Sequence, residues 1–324
     1  MNKPKNRKLL WFILKLLLAI AAWTFVIHKI YNTKEIIESL SILKNLENEK
    51  IKYLVLLIVL MPVNWLLEAI KWQKLINQIE KVSILKSYKA VWIGVAVGSL
   101  TPNRIGEFGG RISVLQKTNR ISATAYTLYG DLAQFIITFI IGLFSFVIII
   151  NTQVLSLDVV NYQTLIIIIG LISLIITSFI YLKINTIITF FHRKRVFSKL
   201  TNKLFKLKSI PSKLKTETLL LSFIRYLVFT LQFYLALRFF GIEISFINAV
   251  LAISSIYLAQ TIIPNIPFVE IGIRLSFSIV FLGLFSNQTA LILLSSTSLY
   301  LINVLIPVLF GAILMLFNDK NHYS

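Results

Sequence analysis

The sequence contains a series of apolar runs, each about as long as a helix that crosses a lipid bilayer. Such a helix needs about 20 consecutive apolar residues. Runs of this kind occur at 9–28, 51–70, 121–150, 164–182, 217–240 and 288–317. They lack the alternation of apolar and polar residues that marks a membrane β-strand, and lipid offers no partners for unpaired backbone groups. The sequence therefore predicts an all-α polytopic membrane protein, with about six transmembrane helices in a single membrane domain over 1–324.

The first apolar run follows a basic N-terminal segment, as the apolar region of a signal peptide also does. The run is longer than a signal peptide's apolar region, however, and no A-x-A-like cleavage site follows it. We therefore interpret the run at 9–28 as a retained first helix.

The charged residues lie mostly in clusters between the apolar runs. Hydrophobic residues make up 57% of the chain, charged residues make up 14%, and the formal net charge is +20. Lysine and arginine between membrane spans favour the cytoplasmic side, where they face anionic lipid headgroups. We therefore expect membrane lipids as partners, no nucleic acid, and a location in the cell (plasma) membrane. The same rule predicts that both termini and the basic loop 183–215 are cytoplasmic. That loop is either an amphipathic surface helix or an unstructured charged segment.

Two further apolar stretches contain helices that are too short to cross the membrane. Each consists of a short helix, a break rich in proline and glycine, and a second short helix, which predicts re-entrant hairpins at 88–115 and 249–285. The first belongs to the half 51–150 and opens to the cytoplasm. The second belongs to the half 217–317 and opens to the outside. The two hairpins are therefore expected to be oppositely oriented.

The tips of the two predicted hairpins resemble each other. The first reads PNRIGEFGGR from Pro102, and the second reads PNIPFVEIGIR from Pro264. Both begin with Pro-Asn and end with Glu-x-Gly-x-Arg. Short motifs also agree by chance, but the shared flanking pattern favours an inverted repeat. Inverted repeats with broken helices that meet near the membrane midplane are typical of transporters.

Proline and glycine at these tips are predicted to break the helices and to let the backbone turn. The residues with this role are Pro102, Gly106, Gly109, Gly110, Pro264, Pro267 and Gly272. A helix that begins at such a break presents free N–H groups, which favour an anion together with the helix dipole.

Ionisable residues inside membrane segments are costly and usually mark a pathway. Those predicted to bind a lipid headgroup are Arg104, Glu107, Arg111, Asp131, Arg225, Glu270 and Arg274. Arginine holds phosphate through two parallel hydrogen bonds, and the Glu and Arg of both motifs are expected to converge near the bilayer midplane. The alternative is that each Glu and Arg pair only neutralises buried charge.

Three charged residues within the spans leave alternatives open. Asp131 and Arg225 either pair with each other, line a headgroup cavity, or reach the interface as separate side chains. Glu68 lies four residues after Asn64 on the same helix face. It is either buried or an interfacial partner of Lys71, and the sequence slightly favours the latter.

The stretch SLTPNRIGEFGGRISVL resembles the signature of the lysylphosphatidylglycerol synthase transmembrane region, a flippase-like membrane domain family, whose members carry Pro-x-x-x-Gly-Glu there. IPNIPFVEIGIRLSF stands where the family has a second Pro/Gly-rich motif, with Phe268 and Val269 in place of small residues. NWLLEAIKW, from Asn64, resembles the end of the family's second helix. The resemblance implies a membrane domain that moves lipids. In bifunctional members a soluble aminoacyltransferase domain follows, but this chain ends at Ser324, so we expect no such synthetic activity.

Motifs of several enzyme classes are missing from the sequence. The chain has no cysteine, no HExxH motif, no DxD pair, no Walker A motif and no GxSxG motif. Neither a metal nor a cofactor is therefore predicted, and an ATP-driven pump or a familiar hydrolase is disfavoured.

The function that the sequence favours is that of a lipid translocase, which moves a phospholipid or a modified lipid between leaflets. The enzyme alternative is a membrane-embedded transferase acting on a lipid-linked substrate, for which Glu107 or Asp131 would serve as the base. A third alternative is a non-transporting accessory membrane subunit. A homo-oligomer and a separate lipid-modifying enzyme are partners that the sequence leaves open.

Overall fold

The computed structural model describes residues 48–116, 120–152, 160–192, 210–263 and 269–316. Its regular elements are helical, and in chain order they are α1 (Asn48–Ile76), α2 (Ile84–Ser99), a 3-10 turn (Pro102–Arg104), α3 (Gly106–Ile112), α4 (Arg120–Asn151), α5 (Val160–Leu182), α6 (Ile184–His192), α7 (Ser212–Phe239), α8 (Phe246–Ile262), α9 (Val269–Leu282), α10 (Thr289–Tyr300), a π-helical turn (Leu301–Leu305) and α11 (Ile306–Leu316). The predicted first span, most of the basic loop, Pro264 and Pro267 lie outside the described residues.

In the described part of the chain, four helical segments are long and apolar enough to cross a membrane. They are Glu49–Ile76, Arg120–Asn151, Ser212–Phe239 and Thr289–Met315. Helices α5 and α6 make a fifth segment of this kind if they are counted together, although they are bent by 78° where they meet. The predicted class, an all-helical membrane protein, is confirmed for the described part of the chain. The total of six spans stays a prediction.

The last apolar run, predicted as a continuous span over 288–317, is interrupted by the π-helical turn Leu301–Leu305. A π-turn widens the helix locally and disturbs the usual backbone ladder. Asn303 lies in this turn, and its carbonyl oxygen accepts a hydrogen bond of 3.2 Å from the indole Nε1 of Trp65. The Asn64 amide also donates to the Asn303 side chain, at 3.4 Å. The irregular turn therefore ties the end of the chain to the middle of α1.

The core of the bundle is formed where α7 packs along α1 and α4 packs along α8. Gly142 permits the second contact, because a methyl group there would lie 2.6 Å from the Leu258 side chain. Polar bonds fasten the same helices. The Gln232 amide donates to the Leu57 carbonyl at 3.1 Å, and the Tyr226 hydroxyl bonds with that of Ser254 at 2.7 Å. Each bond satisfies polar groups that would be costly to bury alone.

Helices α2 and α3 form an antiparallel pair of short helices, joined by the 3-10 turn. Gly94 of α2 faces Gly110 of α3, and Gly98 faces Glu107 nearer the turn. This pair corresponds to the hairpin predicted at 88–115, although α2 already begins at Ile84. In the second predicted hairpin, α8 packs against α9. That these pairs re-enter the membrane from opposite faces stays a prediction.

Replacing Gly110 with alanine is expected to destabilise the α2–α3 pair. The added methyl group would lie 2.8 Å from both the Gly94 Cα and the Ile93 carbonyl oxygen, which are backbone atoms that cannot rotate away. Overpacking of this kind costs about 1–3 kcal/mol. The matched control is Gly109→Ala, where no other atom lies within 4 Å of the new methyl group. Thermal unfolding in detergent checks the pair of variants, and equal melting temperatures would contradict the expectation.

Candidate functional site

The break between α2 and α3 is organised by a threonine. The Thr101 hydroxyl donates to the Gly98 carbonyl at 3.1 Å and accepts a hydrogen bond of 2.8 Å from the Gly106 backbone N–H. Between these anchors, Asn103 and Arg104 both have φ of 53°. This left-handed conformation is uncommon for residues other than glycine and is found mostly where the surrounding structure imposes it, often at functional sites. The sequence did not predict this conformation at Arg104.

Glu68 of α1 lies at the centre of a buried cluster of charges, with 2% of its side chain exposed. One carboxylate oxygen accepts from the Arg111 guanidinium at 2.9 Å. The other is 2.7 Å from the Lys71 ammonium and 3.2 Å from the Arg225 guanidinium. The predicted pairing with Lys71 is therefore present. The favoured interfacial position was wrong, because helices α7 and α3 cover this face of α1 and supply two arginines to it.

Both sequence motifs contain an internal ion pair. Arg111 pairs with Glu107 as well as with Glu68, and Arg104 lies 3.6 Å from the other oxygen of Glu107. In the second motif, Arg274 lies 3.6 Å from Glu270. A spacing of four residues places each Glu and Arg on one helix face, which explains why the pairs form within each motif. Charge neutralisation within each motif is thus one role of these residues.

The structure corrects one proposed contact, the direct pair of Asp131 with Arg225. The Nη1 atom of Arg225 is shared by Glu68 and by the Gln134 side chain, which accepts from it at 3.4 Å. The close packing of α7 along α1 brings Arg225 to Glu68. Asp131 on α4 lies instead within electrostatic range of Lys71 and Arg111.

A cavity of about 330 Å³ lies beside this cluster. Predicted headgroup residues that line it are Arg104, Arg225, Glu270 and Arg274. Further lining residues, which sequence reasoning had not selected, are Asn64, Gln134, Thr138, Tyr226, Phe229, Tyr257, Gln260, Thr261, Ile263 and Ile273. The cavity therefore receives side chains from α1, α4, α7, α8, α9 and the turn before α3. The sequence signal that could have identified these additional lining residues is the presence of polar side chains, such as Gln134, inside the apolar runs.

The convergence predicted for the two motifs is seen for some residues and not for others. Arg104 from the first motif and Arg274 from the second line the same cavity, and Arg104 lies within electrostatic range of Glu270. Glu107 and Arg111 do not line the cavity. They lie behind Arg104 and connect it to Glu68 through ion pairs. The first motif thus contributes one side chain to the cavity and two to the support behind it.

Two arginines of the cavity are held against aromatic rings. The Arg225 guanidinium lies 5.2 Å from the ring centre of Trp65, and the Arg274 guanidinium lies 5.7 Å from that of Tyr300. Cation–π contacts at this distance are attractive. Arg274 is 7% exposed. These contacts hold the cationic groups at the cavity without cancelling their charge.

Among the glycines assigned to the hairpin backbones, the structure separates those that are required from one that is not. Gly106 lies against Thr101 and the Val97 carbonyl, and Gly110 lies against Gly94, so a side chain would not fit at either. Gly272 is buried in α9. Gly109 lies inside α3 with open space beside it, so its predicted role in turning the backbone is not supported.

Several hydrogen-bond donors of the cavity have no acceptor among the described residues. They are Nε of Arg104, Nε of Arg225, Nε and Nη1 of Arg274, and the amide nitrogen of Gln260. Buried donors left without acceptors are costly, and guanidinium groups match the oxygens of phosphate. In the described part of the chain, no group of three or more His, Asp or Glu side chains is placed to hold a metal ion. The unsatisfied guanidinium donors are chemically suited to an anion that carries several oxygens.

A comparison with protein families agrees with this picture of a membrane domain. The family described as "Lysylphosphatidylglycerol synthase TM region" matches residues 12–311. No curated protein and no solved structure shows a significant match to the chain. The matched range covers both short-helix pairs and every charged residue of the cluster and the cavity. The chain therefore belongs to the lysylphosphatidylglycerol synthase transmembrane region family.

Proposed function

We propose that this protein is a lipid translocase, which moves a phospholipid or a modified lipid between the two leaflets. The observation that carries the proposal is the convergence of Arg104, Arg225 and Arg274 on one cavity within an apolar helical bundle. Charged side chains in a membrane domain are costly and usually mark the path of a polar substrate. The headgroup would cross through this cavity while the acyl chains remain in the bilayer.

The two short-helix pairs support this proposal. Each contributes an arginine to the cavity from beside a helix break, and broken backbone at membrane depth is tolerated where it lines a cavity. Pairs that approach from opposite faces would give the headgroup access from one leaflet and then from the other. The transferase alternative has less support, since Glu107 is engaged by two arginines and is a poor base in that state.

Reconstitution into liposomes with fluorescent phospholipids in one leaflet tests the proposal. We expect leaflet exchange, measured by dithionite quenching of the outer leaflet, to be faster than in protein-free liposomes, with the lipid chemically unchanged. A new lipid product detected by mass spectrometry would instead indicate a transferase. If the assay detects no leaflet exchange and no new lipid product, the role of a non-transporting accessory subunit would be favoured instead.

We further propose that the protein lies in the plasma membrane with both termini and the basic loop 183–215 in the cytoplasm, as the excess of Lys and Arg in these segments favours. Single cysteines can be introduced without background, because the chain has none. The segment 151–163 has no Lys or Arg and is expected to be external, so a cysteine at position 157 should react with an impermeant reagent only from outside. A cysteine at position 200 should react only from the cytoplasm. The reverse pattern would overturn this orientation.

A further inference from the structure

Among the described residues, the charges of the buried cluster and the cavity do not cancel. Ion pairs and close electrostatic contacts connect Lys71, Arg104, Arg111, Arg225 and Arg274 with Glu68, Glu107, Asp131 and Glu270. At their formal charges these five cations and four carboxylates leave one positive charge. The sequence between the lining residues Ile263 and Glu270 contains no ionisable side chain. A ligand with one negative charge would make the assembly neutral.

The distribution of hydrogen-bond donors places that excess at the cavity. Among the described residues, one buried nitrogen of Arg225 and two of Arg274 have no hydrogen-bond acceptor, whereas the Nε of Arg104 lies 3.6 Å from Glu107. The carboxylates are occupied differently: Glu68 and Glu107 lie in the cluster behind the cavity, and each is contacted by at least two cations. The cavity thus offers donors to a phosphate group, which accepts such bonds through several oxygens.

The rest of the cavity suits hydroxyl groups better than an ammonium group. Uncharged side chains able to bond with hydroxyls are Asn64, Gln134, Thr138, Gln260 and Thr261. Asn64 is fully buried, and its Oδ1 accepts no hydrogen bond from the described residues. Glu270 is the only carboxylate among the described lining residues, and Arg274 and Arg104 already lie near it. An ammonium group here would meet three guanidinium groups and no carboxylate of its own.

We infer that the headgroup taken by this cavity is a phosphodiester with one net negative charge, followed by an uncharged group that carries hydroxyls, such as a polyol or a sugar. The inference rests on the proposed function, since it takes the occupant to be a lipid. Zwitterionic and aminoacylated headgroups are selected against, because their ammonium group is repelled by the arginines and costs energy to bury without a partner.

Lipid binding to the purified full chain in detergent, followed by native mass spectrometry, tests the inference. The probes are phosphatidylglycerol, phosphatidylethanolamine and lysyl-phosphatidylglycerol with the same acyl chains. We expect phosphatidylglycerol to bind on the order of tenfold more tightly than either of the other two, a difference that corresponds to one modest interaction. Equal or tighter binding of the zwitterionic or the aminoacylated lipid would overturn the inference.

Two variants, with one control, test how the charge of the cavity affects lipid binding. Arg274→Gln is expected to weaken phosphatidylglycerol binding by roughly tenfold, while Arg238→Gln, which lies outside the cavity lining, serves as the matched control. Glu270→Gln is expected to leave phosphatidylglycerol binding unchanged or tighter, because it removes a negative charge beside the phosphate. Loss of phosphatidylglycerol binding in Glu270→Gln would contradict this assignment, as would its retention in Arg274→Gln.

Two final comparisons complete the test. The first distinguishes a lipid ligand from its free headgroup, and the second distinguishes the headgroup assignment from the translocase proposal. Glycerophosphoglycerol is the same headgroup without acyl chains, and we expect it to bind far more weakly than the lipid. Equal binding would overturn the assignment to a lipid. In liposomes, selective binding without leaflet exchange would reject the translocase and retain the headgroup assignment. Leaflet exchange with no preference for phosphatidylglycerol would retain the translocase and reject the headgroup assignment.

Discussion

Replacing Glu68 with glutamine is expected to destabilise the protein more than any other single change in the charged cluster. The carboxylate is buried and compensates Lys71, Arg111 and Arg225, all within 3.2 Å. Removing one partner of a buried ion pair leaves uncompensated charge and costs about 3–5 kcal/mol. Glutamine keeps the shape of the side chain, so the loss reports the charge. Unfolding in mixed micelles with increasing denaturing detergent measures the change.

The matched control for this variant is Glu217→Gln. Glu217 pairs with Lys74 at 2.8 Å, but both side chains are partly exposed. Pairs of this kind contribute under about 1 kcal/mol. If Glu68→Gln were as mild as Glu217→Gln, the cluster would have to be accessible to water.

A double-mutant cycle extends the test to the partners of Arg225. Glu68→Gln and Arg225→Gln are expected to show strong coupling, because the two side chains are in direct contact. Asp131→Asn and Arg225→Gln are expected to be closer to additive, since Gln134 and Glu68 occupy the guanidinium group that Asp131 was first expected to pair with. Stronger coupling to Asp131 than to Glu68 would contradict the observed arrangement.

Replacing Arg274 with glutamine is expected to abolish lipid exchange while the protein still folds in the membrane. Two buried nitrogens of the guanidinium have no hydrogen-bond acceptor among the described residues, and its ion pair with Glu270 is long at 3.6 Å. Its removal would therefore take away the proposed phosphate contact without breaking a tight internal pair. Glu107→Gln is expected to have the same effect on exchange, because Glu107 holds Arg104 and Arg111 in position.

The exchange assay needs a control for folding and one for charge. Size-exclusion profiles and melting temperatures of Arg274→Gln should match those of the unaltered protein. Arg238→Gln removes the same kind of charge away from the cavity and should retain exchange. Arg274→Lys keeps the charge but loses the planar fork that matches phosphate, so intermediate exchange is expected. Unaltered exchange in both Arg274→Gln and Glu107→Gln would leave these residues with charge neutralisation alone.

The sequence predicted the helices of this protein well where they are long. The runs at 51–70 and 121–150 each lie within a helix that extends further at both ends, and the run at 217–240 lies in a helix that begins at Ser212 and ends at Phe239. Short elements and irregular turns were predicted less well. The π-turn around Asn303 was not foreseen, because its stabilising contacts come from Asn64 and Trp65, far away in the chain.

Within the candidate site, the sequence predicted the charged residues better than their partners. The four-residue spacing indicated that Glu107 and Arg111 could pair, and they do. It did not indicate that Glu68 would receive Arg111 and Arg225, which are 43 and 157 positions away. Gln134, Gln260 and Thr261 were overlooked because single polar residues in a span are common where they face another helix.

The sequence by itself determined that this chain is a helical membrane protein, and it located the two broken helix pairs with their Glu and Arg residues. These properties depend on the length of apolar runs and on neighbours within a few residues, so they can be obtained from a linear pattern. The tertiary structure alone decided that Glu68 is the centre of the charged cluster and that Arg104, Arg225 and Arg274 share one cavity. Those facts depend on which helix faces pack together. Apolar residues surround most of each span, and hydrophobicity therefore does not specify which face meets which neighbour.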